Sequence, residues 1–176
     1  MTHLFRLAVG IATLATTLGV AASAQAECYL RIDGIKGDAG GSRQSAEIAV
    51  VSWSWGLTQS GAAHVASGAG AGAADVADLK IAKALDHTTP AITKLAYAGT
   101  DVKKAVLSCR ARADSPDFLV ISLSGAVFIS SHKYGMDRER PTEELTIHFS
   151  TATITHYNVN ASGVAVEPVV ATINNP

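Results

Sequence analysis

The clearest indication of the fold is one alternating stretch of the sequence, Glu47-Ile48-Ala49-Val50-Val51-Ser52-Trp53-Ser54-Trp55. Alternate residues of a β-strand point to opposite faces, so the pattern places both tryptophans with Ala49 and Val51, and the serines opposite. An aromatic pair on one face could grip a sugar or a peptide, but two indoles also bury a large apolar area in a small domain. We therefore predict a β-strand in which at least one of the two tryptophans contributes to the core.

The same period of two recurs along most of the 176 residues. Runs rich in Val, Ile and Thr, separated by clusters of Gly, Ser, Asp or Pro, are typical of antiparallel strands. Pro168 lies inside the last run, and this predicts an edge strand because proline lacks the N–H that a central strand donates. The predicted strands are 29–33, 47–55, 79–83, 102–110, 118–123, 126–130, 145–157 and 164–173.

One segment breaks this pattern and predicts a short helix. Thr88-Thr89-Pro90 offers an N-cap and a proline in the first turn, and Ile92, Leu95 and Ala96 follow at helical spacing. Gly99 can end the helix because glycine readily adopts the left-handed conformation. The sequence thus predicts a mainly β fold, a barrel or sandwich with one helix lying across an end.

The first 26 residues resemble a secretory signal peptide. A weakly basic start at His3 and Arg6 precedes an apolar run over 7–22, and Ala24-Gln25-Ala26 fits an A-x-A cleavage site. The run is short and rich in Ala and Thr for a membrane span. We predict cleavage after Ala26, a mature domain at 27–176 and no membrane segment thereafter. An uncleaved anchor and a misassigned start codon are the alternatives.

Composition argues against nucleic-acid binding. The formal net charge is −1, and only 6% of the residues are aromatic. A nucleic-acid-binding protein normally shows a basic excess, and a stacking platform needs more aromatic rings.

The two cysteines, Cys28 and Cys109, leave two alternatives open. In an oxidising compartment they could form one disulfide across a long loop, worth roughly 4 kcal/mol in the chain-entropy model. Otherwise they are free thiols on strands of a small core. The sequence alone does not show that they meet.

The glycine-rich segment over 60–74 predicts a long loop. Within it, Gly68-Ala69-Gly70-Ala71-Gly72-Ala73 fits the nucleotide-binding pattern G-x-G-x-x-A. That pattern needs a preceding buried strand and a following helix whose N-terminus faces phosphate. Neither is present in the sequence, so we predict a loop and no cofactor.

No motif in the chain indicates catalysis or a metal site. The histidines at 64, 87, 132, 148 and 156 are dispersed, without Cys or carboxylates at ligand spacing, and we expect them to face solvent on strands. There is no G-x-S-x-G elbow and no H-E-x-x-H. We therefore predict no catalytic residue and no metal, although an enzyme that assembles scattered residues in space stays a weaker alternative.

Five motifs in order resemble the Hcp family, the tube protein of type VI secretion systems. Tyr29-Leu30-Arg31-Ile32-Asp33-Gly34-Ile35-Lys36-Gly37 is similar to the family's opening strand, and Val51-Ser52-Trp53-Ser54-Trp55-Gly56 to its second strand. Asp78-Leu79 follows the glycine-rich loop as in the family, and Ser108-Cys109-Arg110 is similar to its V-L-T-C-R segment. Arg140-Pro141-Thr142-Glu143 resembles the R-P-T-E that opens a late strand. The resemblance extends from about residue 27 to 166.

The resemblance implies a small, partly closed antiparallel β-barrel of two sheets with one short helix beside it. It also implies a homohexameric ring, stacking of rings into a tube, and contacts with a spike-tip protein, a sheath and effector cargo. It supplies no catalytic residues. The family's loop after the second strand contacts neighbouring subunits or rings, which marks Ser60, Gly61, Gly68, Gly70 and Gly72 as the candidate assembly loop.

The sequence departs from the family in two respects. Tube subunits assemble in the cytoplasm without a signal peptide, and their glycine loop often carries a basic residue that is absent here. The first hypothesis is therefore a non-enzymatic, ring-forming protein of this family, secreted or periplasmic if the signal is real and cytoplasmic otherwise. The alternative is a monomeric periplasmic module that holds a small ligand or peptide in the barrel, with Trp53 and Trp55 as its binding residues.

Overall fold

The computed structural model of the chain describes residues 26–39, 47–59, 74–112, 114–158 and 166–175. The chain is mainly β, and the described part contains twelve strands and one helix. In chain order these are β1 (Glu27–Ile32), β2 (Ile48–Val50), β3 (Ser52–Ser54), β4 (Leu57–Gln59), β5 (Ala74–Val76), β6 (Leu79–Ala84), α1 (Thr89–Ala98), β7 (Ala105–Arg110), β8 (Asp117–Ser124), β9 (Phe128–Asp137), β10 (Arg140–His148), β11 (Thr151–His156) and β12 (Val169–Asn174).

The strands form two main antiparallel sheets and one small sheet. The six-stranded sheet has the order β12-β11-β8-β7-β1-β2, and the four-stranded sheet has the order β3-β6-β10-β9. Strands β4 and β5 pair on their own. The chain crosses between the main sheets at Val51, whose N–H donates to Ala82 O of β6 over 2.8 Å. This is the architecture expected from the sequence, two joined sheets with one helix beside them.

The predicted strand 47–55 is two strands, β2 and β3, which belong to different sheets. In β2 the side chains that face the core are those predicted to face away from it. Ile48 is fully buried, whereas Ala49 is exposed and Val51 is 66% exposed. Beyond the bend at Val51 the parity shifts, so that Trp53 and Trp55 are the residues packed against the core. The alternation is unbroken in the sequence because a change of sheet needs only one bent residue, which leaves no compositional signal.

The core fills the space between the two main sheets. Its side chains come from alternate positions of the strands, as the period of two requires. The largest fully buried apolar side chains are Leu30, Ile32, Ile48, Leu79, Ile81, Ile92, Leu107, Leu123, Leu145, Ile147 and Phe149.

The helix α1 begins and ends almost where the sequence predicts. Pro90 lies in its first turn, and Gly99 ends it with a left-handed φ of 57°. The predicted cap is wrong in one detail, because the Thr88 side chain makes no capping bond to the helix. Its hydroxyl donates instead to Asp86 Oδ1, which also accepts the N–H of Thr88 over 2.7 Å.

Two other predicted strands have different bounds. The run 145–157 turns at Phe149 and Ser150, so that it supplies the end of β10 and all of β11. Strand β12 begins only after Pro168, and it lies at the edge of the six-stranded sheet as the proline predicted.

The glycines of the first motif have separate structural reasons. Gly34 adopts a φ of 83°, which favours glycine because a side chain is strained there. At Gly37, a Cβ atom would lie 1.9 Å from the backbone oxygen of Glu47. The chain after β1 therefore passes so close to the start of β2 that only glycine fits.

Candidate functional site

The four-stranded sheet presents a concave, polar surface on the side away from the core. The concavity has a volume of about 450 Å³. We call it the polar concave face. Its outward side chains are small or hydroxyl-bearing, with three charged exceptions. They are Ser52 and Ser54 of β3, Lys80 and Ala82 of β6, Glu144 and Thr146 of β10, and Ser131 and Lys133 of β9.

The strand register arranges these side chains in two rows across the sheet. One row runs Ser54, Lys80, Thr146, Ser131, and the next runs Ser52, Ala82, Glu144, Lys133. Glu144 and Lys133 lie directly opposite each other, where opposite charges attract. Lys80 has hydroxyl neighbours on both sides. The outward face therefore offers hydrogen-bond donors and acceptors, small side chains and little net charge.

An Asp–His–Ser group lies at one end of this face, but it is not arranged as a catalytic triad. Asp78 Oδ1 is 2.9 Å from His148 Nδ1, and Asp78 Oδ2 accepts the Ser130 hydroxyl over 2.8 Å. The carboxylate thus stands between the serine and the imidazole. A nucleophilic serine needs a base that takes its proton, and here its hydroxyl donates to a carboxylate instead. The group orders the end of the sheet.

A cluster of buried charges lies behind the face, on the core side of the same strands. The Lys83 ammonium contacts Glu143 Oε1, and both side chains are fully buried. Glu143 Oε1 also accepts the Thr89 hydroxyl over 2.7 Å, and Glu143 Oε2 lies 2.6 Å from His132 Nε2. Asp86 Oδ1 lies 3.1 Å from Lys83 Nζ. This ionic cluster joins three strands to the first turn of α1.

Sequence reasoning missed this cluster, although a signal for it exists. Lys83 has the same strand parity as the buried Leu79 and Ile81, and Glu143 has the parity of Leu145 and Ile147. A lysine and a glutamate at core positions of neighbouring strands indicate a buried ion pair, because a lone buried charge is too costly. The Glu143 of the fifth motif is thus explained by packing.

The hydrogen bonds at Asp86 have an electrostatic consequence. Partial burial raises the pKa of Asp86, but the hydrogen bonds from Thr88 and Lys83 and the Lys83 charge outweigh it. The pKa therefore lies below the ordinary value of 3.8, and Asp86 stays ionised beside Lys83.

The tryptophans both pack against the core, as predicted for at least one of them. The indole N–H of Trp55 donates to Ala77 O over 2.8 Å, and its ring meets Phe149 edge-on at 6.0 Å. Trp53 lies opposite Ile81 of β6 and contributes to the floor of the polar concave face. The Trp55 ring is thereby held by the fold and is not presented as a ligand platform.

The two cysteines lie directly opposite each other on β1 and β7, with a sulfur–sulfur bond between Cys28 and Cys109. The residue that follows Cys109 in β7, Arg110, is only 3% exposed. It pairs with Glu47 Oε2 at 3.0 Å and Asp117 Oδ1 at 2.9 Å, and its guanidinium lies 4.5 Å from the Tyr29 ring centre.

The phenol of Tyr29 shares this environment. Burial raises the pKa of Tyr29 above 10.0, and the hydrogen bond that its hydroxyl donates to Glu27 adds to the rise. The first strand is thus held to β7 at its start by the disulfide and by the contact between the Arg110 guanidinium and the Tyr29 ring.

The histidines do not assemble a metal site among the described residues, where no group of three or more His, Cys, Asp or Glu converges. One expectation about them is wrong. The His132 side chain is 4% exposed and belongs to the ionic cluster, so it does not face solvent. His87 pairs with the exposed Asp38 at 3.0 Å, and His148 with Asp78.

Several sequence predictions fall on residues that lie outside the described part. These are the signal segment up to Gln25, the G-x-G-x-x-A pattern with His64, and the loop residues Ser60, Gly61, Gly68, Gly70 and Gly72. In the ranges that the structure does describe, no helix is long and apolar enough to cross a membrane.

The fold is similar to that of a class of solved structures described as type VI secretion proteins. A "type VI secretion system effector from Yersinia pestis" matches with a TM-score of 0.67 and 21% identity, over 84% of this chain and 99% of that one. Hcp1 from Salmonella typhimurium matches with a TM-score of 0.68 and 22% identity, over 85% and 94%. A further "type six secretion system protein" reaches 0.73 at 18% identity, over 81% and 91%.

The sequence identifies the family within that class. The family model described as "Type VI secretion system effector, Hcp" matches residues 29–156. The chain therefore belongs to the Hcp family. No curated protein matches it significantly.

Proposed function

We propose that the chain is a non-enzymatic structural subunit that forms a homohexameric ring, with the polar concave face lining the channel of the ring. The family match over residues 29–156 supports the assembly. The partners that the family implies are a spike-tip protein, a sheath and effector cargo.

The observation that carries the channel assignment is the character of the polar concave face. A wall that guides cargo must be wetted and must not trap the cargo by apolar contact. Five of its eight outward side chains are Ser, Thr or Ala, and the other three are Lys80, Lys133 and Glu144. Hydroxyls exchange hydrogen bonds between water and a passing polar surface at little net cost.

Negative-stain microscopy of the mature chain tests the ring, and co-purification of cargo tests the channel assignment. We expect six-membered rings with an open centre. In Ser131→Trp the new indole lies in the concavity, so rings should persist while co-purification of cargo with the ring falls. Ala98→Trp, at the exposed end of α1, is the matched control and should change neither. Absence of rings would refute the assembly, and unchanged cargo recovery in Ser131→Trp would refute the channel assignment.

We also propose that the chain is exported. Residues 1–26 supply the signal, and Ala26 supplies the cleavage position. The Cys28–Cys109 pair supports export, because structural disulfides persist in oxidising compartments. N-terminal sequencing of protein from periplasm and cytosol tests this. A start at Glu27 in the periplasm is expected, and an intact chain confined to the cytosol with free thiols would contradict it.

Export restricts the use of the ring. A subunit that folds outside the cytoplasm does not meet a sheath assembled inside it, so the exported chain would be a relative that uses its ring elsewhere. The Asp78–Ser130–His148 arrangement supports the non-enzymatic part of the proposal, since its serine is not activated. The monomeric binding module is the weaker candidate, because Trp55 is engaged by Ala77 and Phe149.

A further inference from the structure

The two ends of the disulfide differ in how well the fold covers them. Cys109 is 2% exposed, and Leu119 of β8 lies opposite it on the outer side of β7. Cys28 is half-buried, and its partner on the other side is Val50, the last residue of the short strand β2. The chain then leaves this sheet at Val51, whose N–H bonds to β6 of the other sheet. Cys28 is therefore the more accessible cysteine of the pair.

A hollow of about 280 Å³ lies at this place, where the chain crosses from one main sheet to the other. We call it the seam hollow. Its lining residues are Ala26, Cys28, Val50, Val51, Ser52 and Trp53. Cys109 is not among them, and Val51 and Ser52 are exposed to solvent. The seam hollow thus leads from solvent to one cysteine of the disulfide and not to the other.

The size and lining of the seam hollow restrict what reaches Cys28. Pockets that hold drug-sized ligands usually begin at about 300 Å³, so this hollow suits a smaller molecule. None of its described lining residues carries a charged side chain. Thiol–disulfide exchange depends on which sulfur the attacking thiolate can reach. A small thiol without net charge, such as free cysteine, therefore fits this access route.

We propose that Cys28 is a site of reversible thiolation, at which a small-molecule thiol opens the disulfide. The thiolate of that molecule attacks Cys28 Sγ through the seam hollow. A bond forms between the incoming sulfur and Cys28 Sγ, the bond between Cys28 and Cys109 breaks, and Cys109 leaves as a thiolate that takes up a proton. The incoming thiol is oxidised to a mixed disulfide, and Cys109 is reduced to a thiol. The proposal does not rest on the ring, because each chain carries its own disulfide and hollow.

The surroundings of Cys109 favour persistence of the mixed disulfide. To close the original bond again, Cys109 must attack as a thiolate, and burial in apolar surroundings disfavours that charged form. The strand does not depend on the disulfide for its place in the sheet. Backbone pairing joins β1 to β7 at six positions, from Glu27 opposite Arg110 to Ile32 opposite Ala105. The thiolated chain should therefore stay folded.

Peptide mapping by mass spectrometry tests the site. The oxidised mature chain is exposed to free cysteine without oxygen, and released thiols are trapped at early times with N-ethylmaleimide. We expect the cysteine adduct on Cys28 and the maleimide on Cys109, with the adduct on Cys28 about tenfold or more above that on Cys109. Equal adducts on both residues, a preference for Cys109, or no adduct on the folded chain would overturn the proposal.

A change at the rim of the hollow tests the access route. Val51→Phe places a larger side chain beside the hollow and should slow formation of the adduct about fivefold or more. Val169→Phe is the matched control, because Val169 is 64% exposed where Val51 is 66% exposed, and it should leave the rate unchanged. Circular dichroism shows that both variants are folded. Equal rates in the two variants would contradict entry through the seam hollow.

Tryptophan emission gives a readout that needs no change at the rim. Trp53 lines the seam hollow, so an adduct on Cys28 should alter its emission as the mass-detected adduct accumulates. In Trp53→Phe the adduct should still form while the emission change disappears. An emission change that persists in this variant would place the adduct away from the hollow and contradict the proposal.

Discussion

At the scale of single residues, the ionic cluster decides how α1 is held on the sheet. Lys83 and Glu143 are both fully buried, so each has lost its hydration and has the opposite charge of the other beside it instead. Breaking a buried pair by removing one partner costs several kcal/mol, because the remaining charge is left in a low-dielectric interior. The cluster therefore stabilises the position of α1 only while it is complete.

Glu143→Gln should lower the free energy of unfolding by about 3 kcal/mol, because Lys83 then keeps only Asp86 as a carboxylate partner. Urea denaturation measures the loss. Glu144→Gln is the control on the same strand, because its side chain is exposed, and it should change stability by less than about 0.5 kcal/mol. In the double variant with Lys83→Met the loss should be smaller than the sum of the single losses. Strict additivity would show that the two side chains do not interact.

Asp86 gives the cluster a defined dependence on pH. Its pKa is lowered in the folded state, so its ionised form stabilises the fold above the unfolded value of about 3.8, and this contribution disappears as pH falls through the folded value. The stability difference between wild type and Asp86→Asn should therefore be full at pH 6 and shrink on acidification below pH 4. Asp114→Asn, at an exposed site, should show no such difference. A difference that does not change with pH would contradict this account.

At the scale of secondary-structure elements, the disulfide between Cys28 and Cys109 holds the start of β1 to β7. The disulfide joins residues 81 positions apart, and in the chain-entropy model a loop of that length contributes about 4 kcal/mol. Cys28→Ser should lower the melting temperature of the oxidised protein. Under reducing conditions the variant and the wild type should melt together. Equal melting temperatures in the oxidised state would show that the link does not form.

The strands and the helix could be predicted from the sequence more fully than the polar concave face. Alternation predicts most strands and Gly99 predicts the end of α1, because both follow from local backbone geometry. The change of sheet at Val51 escaped prediction, since a single bend leaves the apolar pattern intact. The polar concave face could not be predicted from the sequence for another reason. Its residues come from four strands, and only their register, a property of the whole sheet, places Lys80 between Ser54 and Thr146.

At the scale of the whole molecule, the two sheets present different outer surfaces. The four-stranded sheet is polar and concave, and the six-stranded sheet is charged at one end and uncharged at the other. In the proposed ring, the polar concave face lines the channel.

Sedimentation velocity of the mature chain, residues 27–176, tests the proposed ring. We expect a single dominant species with the mass of six copies at micromolar concentration, dissociating only on dilution. A strict monomer up to the highest soluble concentration would contradict the ring.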